Sequence, residues 1–229
     1  MSSKRINKYL AEAGFCSRRQ ADQLIKSGKV FVNGQKAELG SQVKEGDSVK
    51  VGNKLIIIHK SSIYIAYHKP VGVICTTDKS KKDNIISKIN IKERIYPVGR
   101  LDVQSSGLIL LTNDGEWANK IMHPRYEHEK EYLVQTDKKV SEELINKLEK
   151  GIQLKEGLAK ADRIFRVSGS AFRISLHQGW NRQIRRMLTA CGYQVKSLKR
   201  VRVGKYKLGS LKVGEWQYIK SLRNAQKVL

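Results

Sequence analysis

Two stretches of this 229-residue chain carry side chains able to do chemistry. In the first, Gly99-Arg100-Leu101-Asp102-Val103-Gln104-Ser105-Ser106-Gly107-Leu108-Ile109-Leu110-Leu111-Thr112-Asn113-Asp114-Gly115, an arginine and a carboxylate follow an apolar approach at Ile95 and Val98. The spacing predicts a turn at Ser105-Ser106-Gly107, an apolar strand, and a second turn at Asn113-Asp114-Gly115. Asp102 is thereby placed between two ordered strands. An aspartate in such a turn commonly accepts from backbone amides two residues on, and spacing alone favours that use. The second stretch is His177-Gln178-Gly179-Trp180-Asn181-Arg182-Gln183-Ile184-Arg185-Arg186-Met187. Here Ile184, Met187, Leu188 and Cys191 recur at helical spacing and face a core, Arg182 and Arg186 lie opposite, and Arg185 flanks the apolar stripe. Three arginines in the first turns of a helix oppose its macrodipole, at about 0.3 to 1 kcal/mol per group. They are either exposed cations screened by salt or partners for an anion, a phosphate or the Asp102 carboxylate.

The elements that must position these residues follow from the same pattern. Ile63-Tyr64-Ile65-Ala66-Tyr67 reads as a strand entering the loop His68-Lys69-Pro70-Val71-Gly72-Val73. Asp78, Lys79, Lys81 and Lys82 form a solvated loop. Asp114 can cap a helix through Trp117, Ala118, Ile121 and Met122 that breaks before Pro124, with Trp117 at core spacing. Tyr132 and Val134 alternate on a strand, a helix starting at Ser141 closes at Gly151, and Phe172, Ile174 and Leu176 share one strand face. Val195 to Gly204 alternates apolar with basic residues, as a half-buried strand with one cationic face does. Lone His123 and His128 read as surface.

Upstream, Ile6, Tyr9, Leu10 and Ala13 have helical spacing ended by Gly14, and Ser17 can cap a second helix stopped by Gly28. Val30-Phe31-Val32 meets Asn33-Gly34, a hairpin signal, and Val43 to Val51 supplies further strand through Glu45-Gly46-Asp47. Cys16 reads as a small core residue. A polar patch, His59-Lys60-Ser61-Ser62, marks the junction between residues 1–60 and 61–229. The C-terminus is expected to be ordered apart from its last few residues.

Composition narrows the partner. Formal charge is +24, from 45 basic and 21 acidic residues. Residues 182 to 229 hold 13 Lys or Arg against the single acid Glu215, and residues 1 to 60 hold 12 basic against five acidic. Two basic ends around a nearly balanced centre point to a polyanion gripped in two places. Cys16, Cys75 and Cys191 have no Cys-x-x-Cys spacing and the five histidines form no ligand pattern, which argues against a metal site or disulfide framework and fits a reducing cytoplasm. No apolar run approaches about 18 residues, so no membrane span is expected.

Gly-Arg-Leu-Asp at 99–102, with Ser-Ser-Gly-Leu at 105–108 and Leu-Thr-Asn-Asp-Gly at 111–115, resembles the catalytic motif of the pseudouridine synthases. It is closest to the branch that modifies ribosomal RNA and carries an S4-like domain in front. The run Leu10 to Ala21, with Gly28 to Gly34 after it, resembles that S4 domain. The implied fold is α+β, a small N-terminal S4-like RNA-binding domain (1–60) followed by a catalytic domain (61–229) with a mixed, mainly antiparallel sheet flanked by helices. Lys69-Pro70-Val71-Gly72 is similar to the family's Lys-Pro-x-Gly segment. Within the branch, the stretches at 128–134 and 181–187 look closest to the large-subunit rRNA enzymes of the RluF type.

The resemblance implies isomerisation of uridine to pseudouridine in ribosomal RNA, 23S rRNA above all, with Asp102 as nucleophile and no metal or organic cofactor. Attack on the sugar carbon and proton loss through a glycal-like route both stay open. Tyr132, in Lys130-Glu131-Tyr132, would stack on the extruded uracil. Arg185, in Gln183-Ile184-Arg185, would pair with Asp102. Arg100 would fill the space the base vacates or contact phosphate. Flipping costs a few kcal/mol, which basic contacts would offset. The RNA contacts expected are Arg5, Lys8, Arg18, Arg19 and Lys26 on the helical face of the N-terminal module, and Asn181, Arg182, Gln183 and Arg186 near the catalytic helix. A cytoplasmic monomer acting on ribosomal RNA is the expectation. Action on 16S rRNA or a tRNA, or a non-catalytic ribosome-assembly factor, are the alternatives. A metal-dependent nuclease lacks a second carboxylate with motif support near Asp102.

Overall fold

The computed structural model describes residues 3–58 and 61–221. Part of the expected junction, His59 and Lys60, and the expected disorder at the C-terminal tip lie outside the described residues. The chain separates into two compact units. One comprises Met1–Ile63 with the short segments Ile91–Ile95 and Asn113–Gly115; the other comprises Tyr64–Asn90, Tyr96–Thr112 and Glu116–Leu229.

In the first unit, β1 (Lys4–Arg5) leads into α1 (Ile6–Glu12) and α2 (Arg18–Lys26). Each helix buries an i, i+4 pair, Ile6 with Leu10 and Ala21 with Ile25. Ser17 caps α2 by accepting from Gln20 N at 3.2 Å, and the Gln20 side chain accepts in return from Ser17 N at 2.9 Å. Then come β2 (Val30–Val32), β3 (Gln35–Lys36), β4 (Gln42–Val43), β5 (Val49–Val51) and β6 (Lys54–Ile56). Asn33 and Gly34 turn β2 into β3 at φ of 51° and 82°, the left-handed pair that a two-residue hairpin requires. The run from Val43 to Val51 is not one strand. Asp47 accepts from Lys44 N and from the Asn33 amide, so the chain breaks there. As a result β4 pairs with β1, while β5 joins the sheet β3-β2-β5-β6. Cys16 packs in the core with Val30, Val43 and Val49.

In the second unit the order is β7 (Tyr64–Lys69), β8 (Tyr96–Val98), β9 (Ser106–Thr112), α3 (Gly115–Met122), β10 (Lys130–Thr136), α4 (Glu142–Lys150), β11 (Ile152–Leu154), β12 (Gly157–Ala159), β13 (Arg163–Ser168), β14 (Ala171–Leu176), α5 (Gln183–Ala190), β15 (Val195–Val203), β16 (Tyr206–Lys207) and β17 (Trp216–Tyr218). Strands β13-β14-β10-β15-β9-β7-β17 form one sheet, with β16 on β15 and β8 on β9. Of these pairings only β15 with β9 is parallel, so the sheet is mixed and mainly antiparallel. Phe172, Ile174 and Leu176 pack with Leu144 and Leu148 of α4 and with Ile184, Met187 and Leu188 of α5. Trp117 is buried between Tyr64 and Tyr206, a packing residue.

The turn after Asp102 falls earlier than its spacing predicted. It spans Asp102 to Ser105, closed by Ser105 N on the Asp102 carbonyl at 3.0 Å, and Ser106 and Gly107 already belong to β9. The reason is a close approach. Gly107 lies opposite Arg200 in the parallel pairing, and a Cβ there would stand 2.3 Å from the Arg200 carbonyl oxygen. Gly107 thus serves close contact rather than a turn.

Candidate active site

Residues 99–105 join β8 to β9 and carry Asp102. This loop is tied down on three sides, each time through its backbone or a neighbouring amide. From the loop after β7, Gly72 N donates to the Val103 carbonyl at 2.8 Å, and Leu101 N donates to Cys75 Sγ at 3.4 Å. From β15, Arg200 donates through Nε to the Leu108 carbonyl at 2.8 Å and through Nη1 to the Arg100 carbonyl at 3.4 Å. From α5 and its cap, Arg185 Nη2 reaches the Gln104 carbonyl at 2.9 Å and Arg182 Nη1 reaches Gln104 Oε1 at 3.1 Å. Among the described residues the Asp102 carboxylate makes no hydrogen bond and no ion pair within 4.0 Å. It does not bond its own turn amides.

Two cations act on that carboxylate through space. Lys69 is fully buried, and its Nζ donates to the carbonyls of Pro70 and Val73 at 2.8 Å each. Burial holds this ammonium below the usual lysine range, Cys75 and Asp102 work the other way, and Arg200 adds to the depression. Arg185 is likewise held below its ordinary value, first by burial and then by Arg182, against the pull of Asp102. The direct pairing of Arg185 with Asp102 expected from the motif is absent. Its guanidinium is committed to the carbonyls of Gln104 and, at 3.3 Å, Val195. Burial pushes the Cys75 thiol up, which suits its use as a neutral hydrogen-bond acceptor.

Asp102 opens onto a cleft of about 790 Å³ whose floor is β10 and β15. Tyr132 on β10 lies directly opposite Arg200 on β15, and both line the cleft. The alternation along β15 does not produce one cationic face. The register shifts between Glu131 and Tyr132, so that Val201 has no partner on β10, a bulge that lets Leu198, Arg200 and Val203 all face the cleft. Arg202 is turned to the other side, where it pairs with Glu129 at 3.0 Å and Glu131 at 3.1 Å.

At the far wall, Arg182 caps α5 in the left-handed region at φ 49°. Gln183 is 4% exposed; its Oε1 accepts from Trp180 N at 3.1 Å and its Nε2 donates to Gln178 Oε1 at 2.8 Å. That amide holds the loop before the helix and is not free for RNA. Arg186 makes a two-pronged pair with Glu156 at 2.8 and 2.9 Å, so it too is spent within the protein. These contacts offset the opposition between the arginines and the macrodipole. Among the described residues no three His, Cys, Asp or Glu side chains gather as metal ligands.

A model of the RNA pseudouridylate synthase family matches residues 63–190. The chain belongs to the RNA pseudouridylate synthase family. The synthase is therefore an isomerase that acts on uridine in RNA. A model of the S4 domain matches residues 4–49. The dual-specificity RNA pseudouridine synthase RluF of Escherichia coli strain K12 is 45% identical over 218 residues, 94% of this chain and 75% of that protein. The ribosomal large subunit pseudouridine synthase B of Bacillus subtilis is 42% identical over 221 residues, 93% of this chain and 90% of that one. A solved pseudouridylate synthase superposes with a TM-score of 0.68 at 29% identity, over 94% of this chain and 96% of that chain.

Of the residues singled out from the sequence of the synthase, Arg100, Asp102, Tyr132, Asn181 and Arg182 line one cleft. Arg185 stands behind the Asp102 loop. On the N-terminal unit Arg5, Arg18, Arg19 and Lys26 are exposed, while Lys8 is drawn to Glu12 at 3.6 Å. Sequence reasoning missed Lys69, Arg200 and Lys130. Lys69 was in view within Lys69-Pro70-Val71-Gly72, and Arg200 shares a strand face with Leu198. A charge at an inward strand position was the available signal.

Proposed function

We propose that this synthase converts a uridine of large-subunit ribosomal RNA to pseudouridine, with Asp102 as the nucleophile. The reaction exchanges the C1′–N1 bond for a C1′–C5 bond; C5 loses its proton and N1 gains one, so no atom is added. The observation that carries the proposal is the Asp102 carboxylate, unpaired in an RNA-sized cleft on a loop that four donors from outside it tie down. A nucleophile engaged in an ion pair would have to break it to react, whereas this one is positioned entirely through its backbone. Tyr132, opposite Arg200 on the cleft floor, stacks on the flipped uracil. Arg185 holds the Asp102 loop through the Gln104 carbonyl, and both Arg185 and Lys69 attract the Asp102 carboxylate through space. Arg100, exposed at the cleft mouth, fills the vacated stack or meets a phosphate.

In this reading residues 1–60 form an RNA-gripping S4 module and residues 61–229 the catalytic domain, in a monomer of the cytoplasm. Among the described residues no helix is long and apolar enough to cross a membrane. The name of the B. subtilis relative supports the large-subunit target, and that of the E. coli relative, dual-specificity, supports a second RNA, for which tRNA is the candidate. Pseudouridine mapping on rRNA and tRNA transcripts treated with wild type or Asp102→Asn tests this. New sites with wild type alone are expected, with RNA affinity kept in the variant and turnover down at least about 10³-fold. No new site on naked rRNA, assembled subunits or tRNA would overturn the catalytic reading.

A further inference from the structure

The wall of the cleft beyond Tyr132 carries a carboxylate–imidazole pair that the chemistry at Asp102 leaves unused. Asp162, just before β13, and His177, the first residue after β14, stand 2.6 Å apart, Oδ1 to Nδ1. Both are fixed by their backbones. Asp162 N donates to the Ser175 carbonyl at 2.8 Å, and the His177 carbonyl accepts from Lys130 Nζ at 3.0 Å. The loop after His177 is held in turn by the buried Gln183 amide. Yet the His177 side chain is 45% exposed and lines the cleft. A rigid imidazole in a ligand-facing wall, backed by a carboxylate, has the form of a contact group.

Strand register places it. Tyr132 and Lys130 of β10 lie opposite Ile174 and Leu176 of β14, so His177 follows immediately after Lys130's partner. From Ile174 to His177 is three residues, about 10 Å of strand, so His177 sits on the order of one to two nucleotides from the Tyr132 side chain. A uracil stacked on Tyr132 would bring the sugar–phosphate of its neighbour to this wall.

We propose that His177, held by Asp162, grips a backbone phosphate of the RNA strand beside the target uridine. This rests on the reading that the cleft takes the target at Asp102. With Nδ1–H donated to Asp162, Nε2 is left for the ligand. In the neutral ring Nε2 is an acceptor and cannot bond a phosphate oxygen; a second proton makes it a donor. Phosphate binding is therefore linked to proton uptake, and affinity rises as pH falls. Several charged groups border this wall. Asp162 puts a negative charge beside the imidazole, and Lys130 from β10, Arg200 from β15 and Arg182 at the start of α5 bring positive charge to the same wall. His123 and His128 line the same cleft, and burial holds the His128 imidazole below its usual range, so the His177 contribution is read as a difference between variants.

The experiment measures binding of a large-subunit rRNA transcript, and single-turnover pseudouridine formation on it, at pH 6 to 8 and several salt concentrations. The proteins are wild type, His177→Ala, His177→Gln and Asp162→Asn in the full chain. Expected at pH 6 are a loss of about five- to tenfold in affinity for His177→Ala, a salt slope lower by about one, and a smaller loss for Asp162→Asn. At pH 8 the difference from wild type shrinks towards none, and the rate at saturating RNA falls much less than affinity does. A His177→Ala affinity equal to wild type at pH 6, or a loss independent of pH and salt, would overturn the proposal. Pseudouridine formed by wild type together with that result would sink this inference alone. If wild type forms none, the reading of the cleft fails, and the binding arm still decides the role of His177.

Discussion

Arg5, Arg18, Arg19 and Lys26 in the N-terminal unit and Lys69, Arg185 and Arg200 in the second unit are the same residue types under opposite constraints. The first four are exposed, and their side chains make no hydrogen bond or ion pair among the described residues. The other three are buried or half-buried and spend their donors on backbone carbonyls. An exposed cation keeps its hydration until a phosphate replaces it, and so contributes salt-dependent affinity with little effect on the fold. A buried one has already lost its water, so it must be bonded, and what it bonds becomes rigid. In this synthase the exposed set suits holding RNA, and the buried set holds the loop that presents Asp102. Charge content alone does not separate the two roles.

The comparison breaks most visibly at Arg200. Arg200→Met keeps the volume but strips donors from the carbonyls of Leu108 and Arg100. A loss of about 2 to 5 kcal/mol in stability and about 10²-fold in kcat is expected, by chemical denaturation and single-turnover assay. Unchanged turnover with only a lower melting point would mean that the Asp102 loop holds its shape without this arginine. The exposed set gives the converse. Replacing Arg5, Arg18, Arg19 and Lys26 together with Ala should leave stability and the rate at saturation near wild type, while the slope of log affinity against log salt falls by about 3 to 4. An unaltered slope would remove the N-terminal unit from RNA binding.

A subtler distinction appears with pH. The folded pKa of Lys69 is depressed by burial below its ordinary 10.5. Between the folded value and 10.5 the unfolded chain binds more protons than the folded one, so stability rises with pH across that window, and the burial cost is fully present below it. Lys69→Met should lack this rise, seen as a converging stability difference from wild type in denaturant melts up to pH 10.5. Parallel curves would assign the depression to another group. Smallest of all is Arg186→Ala. Its guanidinium is occupied by Glu156, so RNA affinity should not change measurably in a filter-binding titration, and a clear drop would return Arg186 to the RNA contacts.

Gln183 and Arg186 show where sequence reasoning reached and where it stopped. Both sit in the motif stretch, and residue type alone suggested RNA contact. Glu156, the partner of Arg186, lies thirty residues away on a hairpin that spacing did not reveal, while the partners of Gln183, only three and five residues back, are brought to it by the left-handed turn at Arg182, which left no mark in the spacing. The strands from Ile152 to Ser168 carry weak alternation and much exposed surface, so no period marked them. By contrast the Ser17 capping box, the Asn33-Gly34 turn and the buried face of β14 were legible because each is decided by neighbours within a few residues.

The amino-acid sequence by itself determined the local units: capped amphipathic helices, the hairpin at Asn33-Gly34, the apolar strand of residues 106–112, and a motif that singles out Asp102. Propensity, capping and period are short-range, and they act the same way in any fold that accepts them. The tertiary structure alone decided which cations stay exposed and which are bound inside, because that depends on who lies opposite. The bulge at Val201 turns Arg200 into the cleft and Arg202 away from it, and the parallel pairing of β15 with β9 brings Arg200 against Gly107 across more than ninety intervening residues. Neither is written in the spacing of either strand; each exists only once the sheet has formed.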